Sequence, residues 1–230
     1  MNEILSQSIF FGIAITLVTY EIGLWIKQKT GKAIANPFLI SVILIVAVLL
    51  LFHIDHEPYA DGAQYISIFL TPATVSLAVP LYRQLELLKT YPKAIFGGII
   101  AGVLTAMVSV FALSLMFGLN HEQYVTLLPK SITTAIGMGI SEKMGGIVTI
   151  TVVVIIVTGI LGNILADTIC HLCKIEDPIA KGLAIGTSAH ALGTAKAMEL
   201  GEIEGAMSSL SIVVCGILTV ISVSIFANFI

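Results

Sequence analysis

Charged residues are scarce in this chain of 230 residues: only 11% are charged, whereas 57% are hydrophobic. Soluble domains carry about 25% charged residues. Because so few charges cannot cover a water-facing surface, the composition excludes an ordinary soluble protein and indicates an integral membrane protein. The net charge of −3 offers no basic excess for nucleic acid, and we expect no nucleic-acid partner.

Signatures of catalysis and of metal binding are also missing. The sequence has no GxSxG, HExxH, Walker or GxGxxG pattern, and its Ser and Thr residues lack a base–acid partnership. We therefore predict that the protein is not an enzyme. Cys170 and Cys173 form a CHLC stretch, but a metal or redox site needs more ligands. We predict no metal and no cofactor.

Long apolar runs dominate the chain. A membrane-spanning helix needs roughly 20 mostly apolar residues, and four runs reach this length: 4–26, 94–119, 147–166 and 206–230. The shorter run 38–52 crosses only if the bilayer is thin. The N-terminal MNEILSQ lacks the basic region of a signal peptide, so we interpret the first run as a retained span.

Three further apolar segments, 62–82, 123–141 and 178–198, are interrupted by Pro and Gly. An interior Pro removes a backbone hydrogen bond, and clustered Gly loosens a helix. We predict broken helices there, either crossing the bilayer or re-entrant. The sequence thus predicts an all-α, polytopic membrane protein with about eight helical segments in a single domain, 1–230.

Basic residues define the expected topology. Loops 27–37 and 83–93 are rich in Lys and Arg, whereas loop 53–62 is acidic. The positive-inside rule places the two basic loops in the cytoplasm and the N-terminus outside. Eight crossings would put the C-terminus outside as well, and re-entrant segments would change the topology beyond residue 93.

The interrupted segments form an internal repeat. Aligning Glu142 with Glu199 gives an offset of 57 and brings Ser131 over Ser188, while a third copy aligns at an offset of 59. The three predicted units are 70–118, 129–171 and 186–230. Discontinuous helices from repeated units commonly build a mid-membrane site in transporters. Two GxxxG pairs, Gly98/Gly102 and Gly182/Gly186, indicate tight helix packing instead.

Three ionisable side chains fall in the polar segments: Lys130, His190 and Lys196. A charge at the bilayer centre costs about 3 kcal/mol on insertion scales, which makes such residues functional candidates. Nearby hydroxyl groups and free amides at half-helix N-termini suit a small carboxylate. The predicted substrate-binding residues are Thr74, Lys130, Ser131, Thr133, Thr134, Ser188, His190, Thr194 and Lys196.

Each ionisable residue has a simpler alternative. Lys130 lies within a few residues of loop 120–123. Its long side chain can therefore extend to the lipid headgroups. Lys196 is close to the acidic stretch around Glu199 and can pair with it. His190 is either a packing residue or a group linked to proton transfer, since its charge switches near neutral pH.

The same segments resemble the LrgB family, which includes CidB. The matching stretches are NPFLISVIL, TPATVSLAVPLYRQ, LLPKSITTAIGMGISEKMGG and PIAKGLAIGTSAHALGTAKAMELGEIEGA, between about residues 36 and 210. The resemblance implies a multi-pass protein of the bacterial inner membrane that works with a smaller LrgA/CidA-like membrane partner or as a homo-oligomer. It also implies a link to murein hydrolase activity and autolysis, in an antiholin-like role.

The resemblance extends to a plastid glycolate/glycerate translocator, and bacterial pairs of this kind are linked to pyruvate uptake. Two functions therefore remain. The first is transport of small monocarboxylates of the glycolate, glycerate or pyruvate type. The alternative is an antiholin-like regulator of a holin-like membrane partner, without transport of its own.

Overall fold

The computed structural model describes residues 10–32 and 34–230, apart from the side chain of Thr74. Within these residues every regular element is a helix and none is a strand, which confirms the all-α prediction. Four helices are long and apolar enough to cross a membrane, and a bent pair covering 56–83 makes a fifth candidate. The sequence predicted about eight helical segments, several of them broken or re-entrant; among the described residues four or five are candidate spans, and the other predicted segments are shorter or interrupted helices.

The chain divides into two compact units, and the boundary along the sequence falls between Ser76 and Leu77. The first contains α1 Phe10–Thr30, α2 Pro37–Leu51, α3 His56–Ser67 and α4 Leu70–Ser76. The second contains α5 Ala78–Arg83, α6 Leu85–Thr90, α7 Pro92–Phe117, α8 His121–Leu127, α9 Thr134–Lys143, α10 Val148–Leu172, α11 Pro178–Leu200, α12 Glu202–Phe226 and a 3-10 turn Ala227–Phe229. A single membrane domain over the whole chain stays a prediction.

In the first unit, α1 and α2 pack closely through small residues. A β-carbon on Gly23 would lie 2.6 Å from the carbonyl oxygen of Pro37, and the hydroxyl groups of Thr19 and Ser41 are 2.8 Å apart. The sequence Asn-Pro starts α2 because the Asn36 side chain accepts a hydrogen bond from a free amide of the first turn. Pro37 follows at the first helical position, where its missing N–H costs nothing.

In the second unit, α7 runs parallel to the first half of α11. A β-carbon on Gly98 would lie 3.1 Å from Cδ1 of Leu183, and one on Gly102 would lie 2.7 Å from Oγ1 of Thr187. Both partners advance by four residues, which is about one helical turn. The GxxxG pair thus brings these two backbones together, as its spacing predicts.

Helix α11 reverses direction at His190, whose φ of 42° and ψ of −135° are outside the helical region. On the two sides of this residue, Gly182 lies against Glu204 and Met198 lies against Gly205, both in the first turn of α12. In a straight helix Gly182 and Met198 would be about 24 Å apart. Helix α11 is therefore a hairpin of two helical arms, which we call the second hairpin.

Helices α8 and α9 form a comparable hairpin around the turn 128–133. The Thr151 hydroxyl, near the start of α10, lies 2.9 Å from the carbonyl oxygen of Thr126 in α8 and 2.7 Å from the hydroxyl of Ser141 in α9. In a straight helix Thr126 and Ser141 would be about 22 Å apart, so the chain turns back between α8 and α9. We call α8, the turn and α9 the first hairpin.

The two hairpins open at opposite ends of the second unit. The first opens beside the end of α12, where Nδ1 of His121 lies 2.6 Å from the carbonyl oxygen of Ile230. The second opens beside the start of α12, where Arg83 and Glu202 form an exposed ion pair at 3.7 Å. We name these ends after α7: the Phe117 end for the first hairpin and the Pro92 end for the second.

Candidate functional site

Lys130 and Ser131 lie in the turn of the first hairpin, inside the second unit. Helix α8 ends at Leu127, and α9 begins after Thr133, whose backbone is extended (φ −66°, ψ 146°). Pro129 within this turn has no amide hydrogen with which to continue a helix. The ammonium group of Lys130 donates a hydrogen bond to the Ser131 hydroxyl at 2.9 Å. The two polar groups therefore lie side by side.

These two residues line a cleft of about 610 Å³ between α7 and the first arm of the second hairpin. Most of its wall is small or apolar, including Ala101, Gly102 and Leu183. The polar lining residues are Thr105, Ser109, Lys130, Ser131, Asp177, Thr187 and Ser188. We call this cavity the Lys130 cleft; its volume falls within the range of about 300–1,000 Å³ typical of small-molecule sites.

Lys130 is the one basic residue among the described residues that line the cleft, and it forms no ion pair with any described residue. Asp177, the one acidic residue among the described lining residues, accepts a hydrogen bond from the Ala180 amide through its carboxylate at 2.9 Å. Asp177 therefore caps the start of α11. The ammonium group of Lys130 is available to an anion that enters the cleft.

Ser188 and Thr187 face the cleft from the second hairpin. Their hydroxyl groups donate hydrogen bonds to carbonyl oxygens one turn earlier: Ser188 to Ala184 at 2.7 Å and Thr187 to Leu183 at 2.8 Å. A hydroxyl oxygen whose proton is used in this way can still accept a hydrogen bond. Of the predicted site residues, the structure thus brings together Lys130, Ser131 and Ser188.

His190 does not line the cleft. Its ring is buried between α10 and α11, where Nε2 donates a hydrogen bond to the carbonyl oxygen of Ile155 at 3.0 Å. Nε2 must be the donor, because a carbonyl oxygen only accepts. A β-carbon on Gly159 would lie 2.8 Å from Cε1 of the ring, so this glycine provides the space that the imidazole fills. The contacts are those of a packing residue.

Thr194 is also buried away from the cleft. Its hydroxyl group donates to the carbonyl oxygen of His190 at 2.9 Å and lies 2.7 Å from the hydroxyl of Ser208 in α12. Lys196 pairs with Glu199 at 3.3 Å, the simpler of the two expectations for this residue. Thr133 and Thr134 are half-buried at the start of α9, and the side chain of Thr74 lies outside the described part of the structure.

Sequence reasoning missed the contribution of α7. Thr105 and Ser109 line the cleft one turn apart, on the face where Gly98 and Gly102 contact α11. A stripe of small and hydroxyl residues at helical spacing in 94–119 was the available signal. The sequence indicates an uncharged span with a packing pair at Gly98/Gly102, because small residues that face a cavity have the same pattern as small residues that face lipid or a neighbouring helix.

Comparison with known sequences identifies the family. A model of the LrgB-like family matches residues 16–229. The antiholin-like protein LrgB of Bacillus cereus (strain B4264) is 37% identical over 222 residues, which cover 96% of this chain and 96% of that protein. The antiholin-like protein LrgB of Bacillus anthracis (strain CDC 684 / NRRL 3495) matches with the same identity and coverage. No solved structure matches the chain. The similarity extends over nearly the whole sequence, and the chain therefore belongs to the LrgB-like family of membrane proteins.

Proposed function

We propose that the protein transports small monocarboxylates, of the glycolate, glycerate or pyruvate type, across the bacterial cell membrane. The observation that carries this proposal is the ammonium group of Lys130 at the turn of the first hairpin, facing a cleft without an ion-pair partner among the described residues. A cation in an apolar environment is unfavourable unless it is paired. A carboxylate entering the cleft supplies the missing partner.

The composition of the cleft favours an anion with one negative charge. Lys130 and Ser131 offer a cation and a hydroxyl group 2.9 Å apart, which suits the two oxygens of one carboxylate. The acidic Asp177 in the same lining repels a second carboxylate. The small and apolar wall around Ala101 and Leu183 accommodates a short carbon chain, and the Ser188 hydroxyl can accept a hydrogen bond from a 2-hydroxyl group.

Uptake by the purified protein in proteoliposomes tests this proposal. We expect saturable uptake of one or more of glycolate, glycerate, lactate and pyruvate, and competition among them. Lys130→Ala should abolish uptake, whereas Lys130→Arg should retain part of it because the charge remains. Lys143→Ala is the matched control, since Lys143 is exposed at the end of α9. Equal leakage of unrelated neutral solutes, or undiminished uptake by Lys130→Ala, would contradict the proposal.

The alternative function is an antiholin-like regulator that acts on a holin-like membrane partner. The name of the relatives, antiholin-like protein LrgB, supports this alternative. Such a regulator would act through an LrgA/CidA-like partner or as a homo-oligomer. A regulator of this kind needs a lateral interface but no internal anion site. Autolysis assays with Lys130→Ala distinguish the two: loss of uptake with intact control of murein hydrolases would separate transport from regulation.

A further inference from the structure

The two hairpins of the second unit have the same length and the same boundaries once the chain is shifted by 57 positions. The first starts at His121 and the second at Pro178, while their last helical residues are Lys143 and Leu200. The residue before each start is also equivalent. Asn120 accepts a hydrogen bond from the amide of Gln123, and Asp177 accepts one from Ala180.

The helices that follow the hairpins match at the same offset. Thr151 in α10 and Ser208 in α12 are fully buried hydroxyl residues. Thr151 lies 2.7 Å from the hydroxyl of Ser141, in the returning arm of the first hairpin. Ser208 lies 2.7 Å from the hydroxyl of Thr194, in the returning arm of the second. The helix residues 151 and 208 match at the offset of 57, while their partners in the returning arms, Ser141 and Thr194, are about one turn apart in the aligned copies.

Two glycines at this offset connect each copy to the other one. Gly159 of α10 is the residue where a β-carbon would meet His190 of the second hairpin, at 2.8 Å. Gly216 of α12 is the residue where a β-carbon would meet Cδ1 of Ile136 of the first hairpin, at 3.0 Å. Each following helix thus contacts the hairpin of the other copy through an equivalent glycine, and such an exchange of contacts is expected of two copies related by a two-fold axis.

The copies run in opposite directions. The first hairpin opens at the Phe117 end, beside Ile230, and the second at the Pro92 end, beside Arg83. An arm of about 12 residues rises about 18 Å, which is well short of the roughly 30 Å of the hydrocarbon core. Each hairpin thus penetrates from one face and returns to it.

We propose that residues 121–226 are two inverted copies of one unit, whose re-entrant hairpins enter the membrane from opposite faces and meet at the Lys130 cleft. Lys130 and Ser131 come from the turn of one hairpin, and Thr187 and Ser188, which are 57 positions further along, come from the other. The anion site lies where the copies meet, a position typical of transporters built from inverted repeats; only this last step rests on the proposed function.

Two inverted re-entrant hairpins give a different membrane topology from eight complete crossings. With two re-entrant hairpins, residues 83–91, which include α6, are on the same face as loop 173–177, and loops 118–120 and 144–147 are on the other face. Eight complete crossings would instead place loop 144–147 on the same face as 83–91. The basic residues Arg83, Lys89, Lys93 and Lys174 gather at the Pro92 end, while Lys143 is at the Phe117 end. The positive-inside rule then makes the Pro92 end cytoplasmic.

Labelling of single cysteines with a membrane-impermeant maleimide, in intact and permeabilised cells, tests the topology. Cys173 is exposed, whereas Cys170 and Cys215 are buried, so the unmodified chain reports on loop 173–177. Lys89→Cys and Lys143→Cys, each combined with Cys173→Ser, report on exposed positions at the two ends. Cys173→Ser alone gives the background.

We expect Cys173 and Lys89→Cys to react only after permeabilisation and Lys143→Cys to react in intact cells. Labelling of Lys89→Cys and Lys143→Cys from one face, with Cys173 on the other, would overturn the inverted arrangement and support complete crossings. Because labelling needs no transported solute, a failure of the topology is distinguishable from a failure of uptake in proteoliposomes.

Discussion

The imidazole ring of His190 fills the space beside Gly159 at the interface of α10 and α11. The imidazole lies where a side chain on position 159 would otherwise be, and its Nε2 atom donates to the carbonyl oxygen of Ile155 at 3.0 Å. The same histidine has a backbone conformation with positive φ at the reversal of α11. Because non-glycine residues rarely adopt positive φ, this hydrogen bond and the space beside Gly159 hold the hairpin at its point of strain.

Gly159→Ala should destabilise the protein. The new β-carbon would lie 2.8 Å from Cε1 of His190 and 2.8 Å from Cδ1 of Leu192, and we expect a cost of about 1–3 kcal/mol from overpacking. Thermal unfolding in detergent measures the effect. Gly97→Ala is the control, since a β-carbon there meets no atom within 4 Å. Equal stability of the two variants would show that the second hairpin does not pack on α10 as described.

His190→Ala should lower the stability while leaving the affinity for the anion unchanged, because the ring does not line the Lys130 cleft. The lost hydrogen bond is worth about 1 kcal/mol, and the empty space adds to this. His190→Gln can donate to the same carbonyl oxygen and should recover part of the stability. Measurements of uptake against pH complete the test: loss of proton-dependent uptake in the glutamine variant would assign His190 to proton coupling instead.

Thr151→Val should loosen the first hairpin. It removes the hydroxyl group that lies 2.7 Å from Ser141 and 2.9 Å from the carbonyl oxygen of Thr126, leaving buried polar groups without this partner. We expect a loss of about 1–3 kcal/mol of stability, measured by thermal unfolding. Thr149→Val changes an exposed residue of the same helix and should be neutral. A neutral Thr151→Val would contradict the attachment of both arms to α10.

Asp177→Asn should strengthen anion binding and weaken the discrimination against dicarboxylates. Asn caps a helix start as well as Asp does, so α11 should keep its N-terminus while the cleft loses its negative charge. We expect about a threefold gain in affinity, since exposed charges in water interact by about 1 kcal/mol or less. Competition by succinate and lactate at low and high salt measures this. A gain that is independent of ionic strength would exclude an electrostatic cause.

Hydrophobicity alone was sufficient to predict the membrane class and the positions of the long spans. The runs 94–119, 147–166 and 206–230 correspond to α7, α10 and α12, because a helix in lipid must satisfy its own backbone and expose apolar side chains. The same local reasoning found the interruptions within 123–141 and 178–198, since Pro and Gly weaken a helix wherever it lies. The offset of 57 was also visible in the sequence.

Tertiary structure decided what the interruptions do. A broken helix that crosses and one that turns back have the same composition. Long-range contacts distinguish them: Gly182 and Met198 pack on one turn of α12, and Thr126 and Ser141 both contact Thr151. Packing likewise decided which polar residues share a cavity. Lys130 and Ser188 line the same cleft because their hairpins open at opposite ends of the second unit, whereas His190, two residues beyond Ser188, lies against α10. The sequence by itself determined which residues are polar at membrane depth; the direction of each arm, set by long-range contacts, determined which of them face the cleft.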